Sequence, residues 1–397
     1  MRTSTLPGPG LGTGHSSIDN GRPKSRTTAA RMVCGIVMAN VLRTPERARP
    51  HVSTHAPAPC DPDQDHHTWS MHDVRIPTRT AALPADASVE NRPSPFEALL
   101  TAAEVLEPIP VAVVHPCDAP SLQAALEAAR SGLIRPVMVG PRAKILRAAE
   151  SAGLDIGDCR IEDTAHSHAA AARAVGLART GEVAALMKGA LHTDELMAEV
   201  VDHEHGLRTE RRVSHVFALD VPRYPKLLLL TDGALNITPD LLDKRDIVQN
   251  AIDFAHAIGI AMPQVAILSA VETVNPRIVS TIDAAALCKM RDRGQISGGA
   301  LEGPLAFDNA VSVAAASIKG IESPVAGNAD ILVVPDLMTG NMLAKQMIYL
   351  AGAASAGIVL GARVPIALTS RADTVRARVM SCALARLFAN RAALAPS

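Results

Sequence analysis

From Pro95 onward, short apolar runs alternate with amphipathic stretches. Helical periodicity occupies the intervening segments, for example residues 121–132 and 239–260. Buried strands of four to eight residues separated by amphipathic helices are typical of a mainly parallel sheet with both faces covered. The pattern therefore predicts an α/β fold. The predicted strands are 110–115, 135–140, 183–189, 214–220, 226–232, 264–270, 330–336, 357–361 and 364–370.

Residues 1–94 lack this alternation. They are rich in proline and glycine, and their one apolar run, residues 32–42, is shorter than the roughly 20 residues that span a bilayer. We expect a disordered extension, or a translation start assigned too far upstream with Met71 as the alternative start. A transit peptide is the other interpretation, although Glu46 and several aspartates disfavour it.

Composition excludes several function classes. The 397 residues carry 39 basic and 40 acidic side chains, so no net field attracts the chain to nucleic acid or to a membrane. Aromatic residues make up only 2%, too few for base-stacking surfaces. The six cysteines form no CxxC pair, which disfavours a zinc site and predicts reduced thiols in a cytoplasmic protein.

Ligands of a parallel sheet bind beyond the carboxyl ends of its strands. Polar residues at these ends are therefore candidates for a site, although the same residue types are ordinary in turns. They are Lys188, His192, Thr193, Asp232, Glu272, Asp336, Ser370 and Arg371.

The segment TSRAD at residues 369–373 follows the last predicted strand. Ser370 and Asp373 have the spacing of a capping box, which predicts a helix that begins at this point. Arg371 would place a cation at the positive end of that helix dipole, which is unfavourable unless an anion binds there. Helix amides, a hydroxyl and a guanidinium together predict a phosphate site.

Two further segments contain candidate binding residues. In residues 298–312, a glycine-rich turn precedes Asp308, which begins a helical pattern, but the glycine spacing matches neither the Walker nor the dinucleotide fingerprint. In residues 323–347, Asn341 and Lys345 lie four apart and share a helix face. The lysine would either bind phosphate or be solvated.

The segment LMKGALHTDELM places Lys188 and His192 just after a strand. The chain contains no H-E-x-x-H and no G-x-S-x-G motif, so the sequence does not support a zincin or a serine hydrolase.

Seven segments, in order, resemble those of the phosphate acetyl/butyryltransferase family, and the resemblance covers about residues 95–395. They are LMKGALHTDELM, GLRTERRVSHVFALD, TDGALNITPD, GALEGPLAFDNA, SPVAGNADILVVPD, GNMLAKQ and PIALTSRADT.

The resemblance implies a two-domain α/β fold like that of isocitrate and isopropylmalate dehydrogenases, with mainly parallel sheets and an interdomain cleft that holds the active site. Domain one would comprise residues 95–210 plus 358–397, and domain two residues 211–357. It also implies a homodimer or larger homo-oligomer.

The implied reaction is the reversible conversion of an acyl-CoA and phosphate to an acyl phosphate and CoA, by direct thiolate attack in a ternary complex. Coenzyme A is then a substrate, and no metal or redox cofactor is required. Ser370 and Arg371 match the family's Ser-Arg pair. The family's catalytic aspartate, seven residues after that serine, is replaced here by Ala377, so Asp373 becomes the candidate base.

The resemblance also affects the substrate-binding residues. We expect these to be Lys188, His192, Asn341, Lys345 and Asp308. A family arginine aligns with Ala198, so its charge would have to come from another position. The nearby alternatives are Arg208, Arg211 and Arg212.

Two other functions remain open at the level of sequence. One is a metal- and NAD-dependent dehydrogenase of the same architecture, although neither an aspartate cluster nor a nucleotide motif is evident. The other is a non-catalytic CoA- or phosphate-binding relative that has lost its base. Turnover of acetyl phosphate and CoA without metal or NAD would distinguish the transferase from both.

Overall fold

The computed structural model describes residues 94–394, so the interpretation of the N-terminal extension lies outside this range, Ser94 apart. The strands are β1 (Ile109–Val114), β2 (Ile134–Gly140), β3 (Ile161–Asp163), β4 (Ala185–Lys188), β5 (Ser214–Asp220), β6 (Leu228–Thr231), β7 (Gln264–Leu268), β8 (Ala300–Leu305), β9 (Ile331–Val333), β10 (Ala354–Leu360) and β11 (Ile366–Ala367). The helices are α1 (Pro95–Glu104), α2 (Ala119–Arg130), α3 (Arg142–Ser151), α4 (Ser167–Arg179), α5 (Thr193–Val200), α6 (Leu241–Ala257), α7 (Val279–Asp292), α8 (Phe307–Val311), α9 (Val313–Ile318), α10 (Leu337–Tyr349) and α11 (Val375–Leu394).

These strands form a single 11-stranded sheet in the order β3-β2-β1-β4-β11-β10-β5-β6-β9-β7-β8. Most neighbouring strands are parallel, and every antiparallel pairing involves β5 or β10. The predicted α/β class with a mainly parallel sheet is confirmed. Strands of both predicted domains belong to this one sheet, so the sheet does not show where one domain ends and the other begins. The domain boundaries near residues 210 and 358 therefore stay a prediction.

Apolar side chains are buried on both faces of the sheet. One large cluster joins the sheet to α1, α2, α6, α7 and α11. Separate clusters join it to α4 and α5, and to α10. This two-sided burial explains why the central strands read as continuous apolar runs.

All nine predicted strands are present, and the two that sequence reasoning missed, β3 and β8, are the two edges of the sheet. β3 has three residues, none of them fully buried, and the first four residues of β8 are half-buried. Edge strands bury less side-chain surface, so their apolar pattern is weak. The glycine-rich segment that was predicted as a turn before Asp308 therefore contains a strand, β8.

The order of the strands brings distant segments together. β4 pairs in parallel with β1 on one side and with β11 on the other. The carboxyl ends of these strands therefore share one edge of the sheet. Lys188 at the end of β4 thus lies beside the segment that follows β11, about 180 residues later in the chain.

Candidate active site

A cavity of about 650 Å³ opens at this edge of the sheet, between the ends of β4 and β11, the start of α5 and one side of α10. It brings together seven of the eight residues predicted to form the site. They are Lys188, His192, Asn341, Lys345, Ser370, Arg371 and Asp373.

Ser370 and Asp373 close a tight turn. The Ser370 backbone N–H donates to Asp373 Oδ2 at 2.6 Å, and the Asp373 N–H donates to the Ser370 carbonyl at 3.2 Å. Ser370 Oγ accepts from the Ala372 N–H at 3.3 Å. These are reciprocal bonds like those of a capping box, but they lie within a turn and not at a helix terminus.

The predicted start of the final helix was wrong. α11 begins at Val375, and Thr374 Oγ1 accepts from the Ala377 N–H at 3.2 Å, which makes Thr374 the capping side chain. Arg371 therefore lies in the turn before the helix, on the exposed rim of the cavity. The positive character of this corner comes from side chains more than from helix amides.

Lys188 is a buried cation on the cavity wall, with only 3% of its surface exposed. Its ammonium makes one long contact, 3.5 Å to the carbonyl of Gly189. Burial lowers the pKa of Lys188, and the positive charges of Arg378 and Arg371 lower it further, while Asp118 and Asp373 oppose this shift. A substrate anion would supply the counter-charge that this lysine lacks.

Asp373 is the carboxylate of this cluster. Burial raises its pKa, while the Ser370 N–H and the charges of Arg378, Lys188 and Lys345 act in the opposite direction. Because the effect of burial outweighs that of the cations, the Asp373 carboxylate is a stronger proton acceptor than an exposed aspartate.

The other cavity residues lie on the opposite wall and the rim. Asn341 Nδ2 donates to the Gly233 carbonyl at 3.0 Å, which ties α10 to the loop after β6. Lys345, one turn further along α10, is exposed to the cavity. His192 is exposed just before α5, and its N–H lies 3.4 Å from Glu195 Oε1.

Asp308 does not belong to this group. It is exposed at the start of α8, just after the edge strand β8, and it does not line the cavity. Since β8 lies at the far end of the sheet from β4 and β11, the geometry gives no support to Asp308 as a binding residue.

Three other acidic residues at strand ends have structural partners. Asp232 is buried and accepts from the backbone N–H groups of residues 234–236 and 215. Asp336 caps α10 by accepting from the Thr339 N–H at 2.8 Å, and Glu272 pairs with Lys319 at 3.2 Å. These carboxylates stabilise loops and helix ends.

Arg208, Arg211 and Arg212 line a different cavity of about 420 Å³. Arg211 pairs with Asp253, and Arg212 Nε bonds Asn236 Oδ1 at 2.8 Å. Their predicted contribution to substrate charge stays a prediction.

Sequence reasoning missed two buried residues near the site. His215 on β5 lines the cavity, is 1% exposed, and packs edge-on against Phe217. Burial lowers the pKa of His215, so the ring is neutral at pH 7. Arg378 on α11 lies behind the turn and donates to the Ser370 carbonyl at 3.0 Å. The one sequence feature that pointed to Arg378 was the Arg-rich start of the last predicted helix.

Within residues 94–394, no helix is long and apolar enough to span a bilayer. The same stretch contains no group of three or more His, Cys, Asp or Glu side chains arranged to hold a metal ion.

Comparisons with known proteins agree on one family. The model of the phosphate acetyl/butaryl transferase family matches residues 167–386. The chain is 61% identical over 300 residues to a phosphate acetyltransferase of Rhizobium meliloti, covering 76% of this chain and 95% of the relative. It is 42% identical to a phosphate butyryltransferase of Clostridium acetobutylicum, covering 70% of this chain and 93% of the relative.

A solved structure has the same fold. The branched-chain phosphotransacylase of Enterococcus faecalis V583 superimposes with a TM-score of 0.63 at 30% sequence identity, covering 71% of this chain and 99% of that one. Together with the match over more than half of the sequence, this similarity shows that the chain belongs to the phosphate acetyl/butaryl transferase family.

Proposed function

We propose that this protein transfers a short acyl group, acetyl in the first place, between coenzyme A and phosphate. Membership of the family supports the reaction, acyl-CoA plus phosphate to acyl phosphate plus CoA. Acetyl is favoured because several relatives at 56–61% identity are phosphate acetyltransferases, whereas the butyryltransferase relatives share less sequence.

The observation that carries the proposal is the charge pattern of the 650 Å³ cavity. The cavity is lined by a serine hydroxyl, Ser370, and by three cations, Arg371, Lys188 and Lys345, against two carboxylates, Asp373 and Asp194. A cluster with this excess of positive charge suits a phosphate dianion, and a guanidinium can bind two phosphate oxygens at once. Because the chain as a whole is nearly neutral, the excess of positive charge in this cavity is a local feature and not a consequence of a basic protein.

In the direction that makes acyl-CoA, the CoA sulfur attacks the carbonyl carbon of the acyl phosphate. The carbon–sulfur bond forms, and the bond between carbon and the bridging phosphate oxygen breaks. Asp373 takes the thiol proton and returns it to the departing phosphate, so proton and charge balance. A free thiol with a pKa of about 8.5 is mostly protonated at neutral pH, so a base increases the reactive fraction.

Ser370 and Arg371 would act on the phosphate throughout. They hold it against the carbonyl and stabilise the negative charge that develops on oxygen in the tetrahedral transition state. Lys188 on the cavity wall and Lys345 on α10 add further positive charge. On this mechanism CoA is a substrate and no metal or redox cofactor takes part. A homo-oligomer and a cytoplasmic location stay predictions.

The test is a panel of acyl-CoAs incubated with phosphate in the presence of a metal chelator, with release of free thiol as the readout. We expect phosphate-dependent release that is fastest with acetyl-CoA. A double substitution, Ser370→Ala with Arg371→Ala, serves as the matched control and should reduce the rate strongly.

Three outcomes would count against the proposal. Release of thiol without phosphate would indicate a thioesterase, and no release with any acyl-CoA would indicate the non-catalytic relative. Formation of NADH from a hydroxy acid when metal and NAD are supplied, with no thiol release from any acyl-CoA, would favour the dehydrogenase. Faster turnover of butyryl-CoA would keep the reaction and refute the acetyl preference.

A further inference from the structure

Arg378 is a buried arginine that touches the site from behind. It lies in the first turn of α11 and is 3% exposed. Its Nη2 donates to the Ser370 carbonyl at 3.0 Å, while Nε and Nη1 have no hydrogen-bond partner among the described residues. Burying a guanidinium with unpaired N–H groups costs free energy, so stability alone is a poor reason for an arginine here.

The Ser370 carbonyl, to which Arg378 donates, also closes the Ser370–Asp373 turn. This oxygen also accepts the Asp373 N–H at 3.2 Å. The Ser370 carbonyl therefore accepts one hydrogen bond from within the turn and one from α11. Helix α11 also packs against α1, α2 and β10. The exposed turn that carries Ser370, Arg371 and Asp373 is thereby attached to a long, well-packed helix.

Arg378 is also the central charge of the cluster. Three cations act on the Asp373 carboxylate, namely Arg378 on α11, Lys188 at the end of β4 and Lys345 on α10. Lys188 in turn faces Arg378, Arg371 and, from the start of α2, Asp118.

From these contacts we propose that Arg378 is a positioning residue for the acyl transfer. It holds the Ser370–Asp373 turn in its reactive shape and keeps the Asp373 carboxylate ionised beside Lys188. The inference rests on the proposed function for its catalytic part. The anion-binding part stands on the geometry of the turn, since a turn that loses its anchor also presents Ser370 and Arg371 less well to phosphate.

The same helix offers a matched control. Arg386 is fully buried, its Nη1 donates to the Gly132 carbonyl at 2.6 Å, and two of its guanidinium nitrogens also have no partner among the described residues. It faces α2 and lies on none of the cavity walls described above. Arg386→Gln therefore measures the generic cost of removing a buried arginine from α11.

The experiment compares Arg378→Gln, Arg378→Lys and Arg386→Gln with the parent protein. The readouts are the thermal midpoint, kcat and KM for acetyl phosphate with CoA, the pH profile of kcat/KM, and calorimetric binding of inorganic phosphate. We expect Arg378→Gln to lose about 100-fold in kcat/KM, the typical effect of misplacing reacting groups by an ångström. Its acidic limb should move to higher pH, because the pKa of Asp373 rises when Arg378 no longer opposes the effect of burial.

Phosphate binding separates this proposal from the proposed function. If the parent protein shows no turnover, weaker phosphate binding by Arg378→Gln than by Arg386→Gln still supports the anchoring role. Arg378→Lys keeps the charge and can still donate to the Ser370 carbonyl, so it should recover part of the loss. It also keeps the test valid if the glutamine variant does not fold. Equal phosphate binding and equal activity in the Arg378 and Arg386 variants would overturn the inference. An unshifted acidic limb in an active Arg378→Gln would do the same.

Discussion

Replacing Asp373 with asparagine separates the chemical role of this residue from its structural role. Asparagine has nearly the same shape, and its side-chain carbonyl can still accept the Ser370 N–H that Asp373 Oδ2 now accepts at 2.6 Å. The backbone bond from the residue 373 N–H to the Ser370 carbonyl does not involve the side chain. The turn should therefore persist while the proton acceptor is lost.

The expected change in activity is large. Removing a positioned general base typically costs about 100-fold to 10,000-fold in rate. At about 1.4 kcal/mol for each tenfold change, this corresponds to roughly 3 to 5 kcal/mol of transition-state stabilisation. The loss should fall on kcat, because Ser370, Arg371 and Lys188 still bind the phosphate.

The expected change in stability is small, and its sign follows from the pKa. Burial raises the pKa of Asp373 in the folded protein, so its favourable contribution is present at acidic pH and is lost as the pH rises through that raised value. At neutral pH the ionised side chain is therefore a cost, which asparagine removes. A weaker hydrogen bond to the Ser370 N–H offsets this by about 1 kcal/mol. The thermal midpoint should stay close to that of the parent.

The assay measures thiol consumption with acetyl phosphate and CoA across pH, alongside thermal unfolding. In the parent protein, kcat/KM should fall as the pH drops through a pKa above the ordinary aspartate range, and this limb should disappear from the residual activity of the variant. Asp240→Asn is the control, because Asp240 also accepts a backbone N–H, at 2.8 Å from Asp243, and lies away from the cavity. A variant at position 373 with near-parental kcat would refute the base, and one that unfolds early would assign Asp373 a structural role.

Three further predictions concern the same region. Arg371→Ala should lower kcat/KM for acetyl phosphate by about 100-fold to 1,000-fold, as for loss of an oxyanion-type donor, and unchanged kinetics would remove Arg371 from the site. Gly357→Ala should destabilise the fold by about 1–3 kcal/mol in urea unfolding, because a Cβ there would lie 2.8 Å from His215 Nε2 and would also collide with the Leu368 carbonyl. Thr374→Ala should cost about 1 kcal/mol through loss of the α11 cap, and an unchanged thermal midpoint would contradict that assignment.

The fold could be predicted from the chain because its central strands are buried on both sides. Such strands need unbroken apolar runs, and these are legible without any knowledge of their neighbours. The edge strands β3 and β8 pack on fewer neighbours, so a short or glycine-containing segment suffices there and the pattern fades. Burial, more than local propensity, decided which strands could be predicted.

The site was predictable only in part. Polar residues after parallel strands collect at one edge of a sheet, and this rule supplied Lys188 and Ser370. The same rule also suggested Asp232 and Asp336, but Asp232 stabilises the loop after β6 and Asp336 caps helix α10. The spacing of a capping box in TSRAD led to a helix start that the structure moves to Val375.

By itself, the sequence determined the α/β class, the strand segments of the sheet interior, and the family, because these depend on the periodicity of side chains and on motifs that are contiguous in the chain. Only the tertiary structure decided that β11 lies beside β4, and with it the meeting of Lys188, Asp373 and Arg378. The physical reason is that an electrostatic cluster depends on distances in space. Residues nearly 200 positions apart share a charge environment only when the strands that carry them pair.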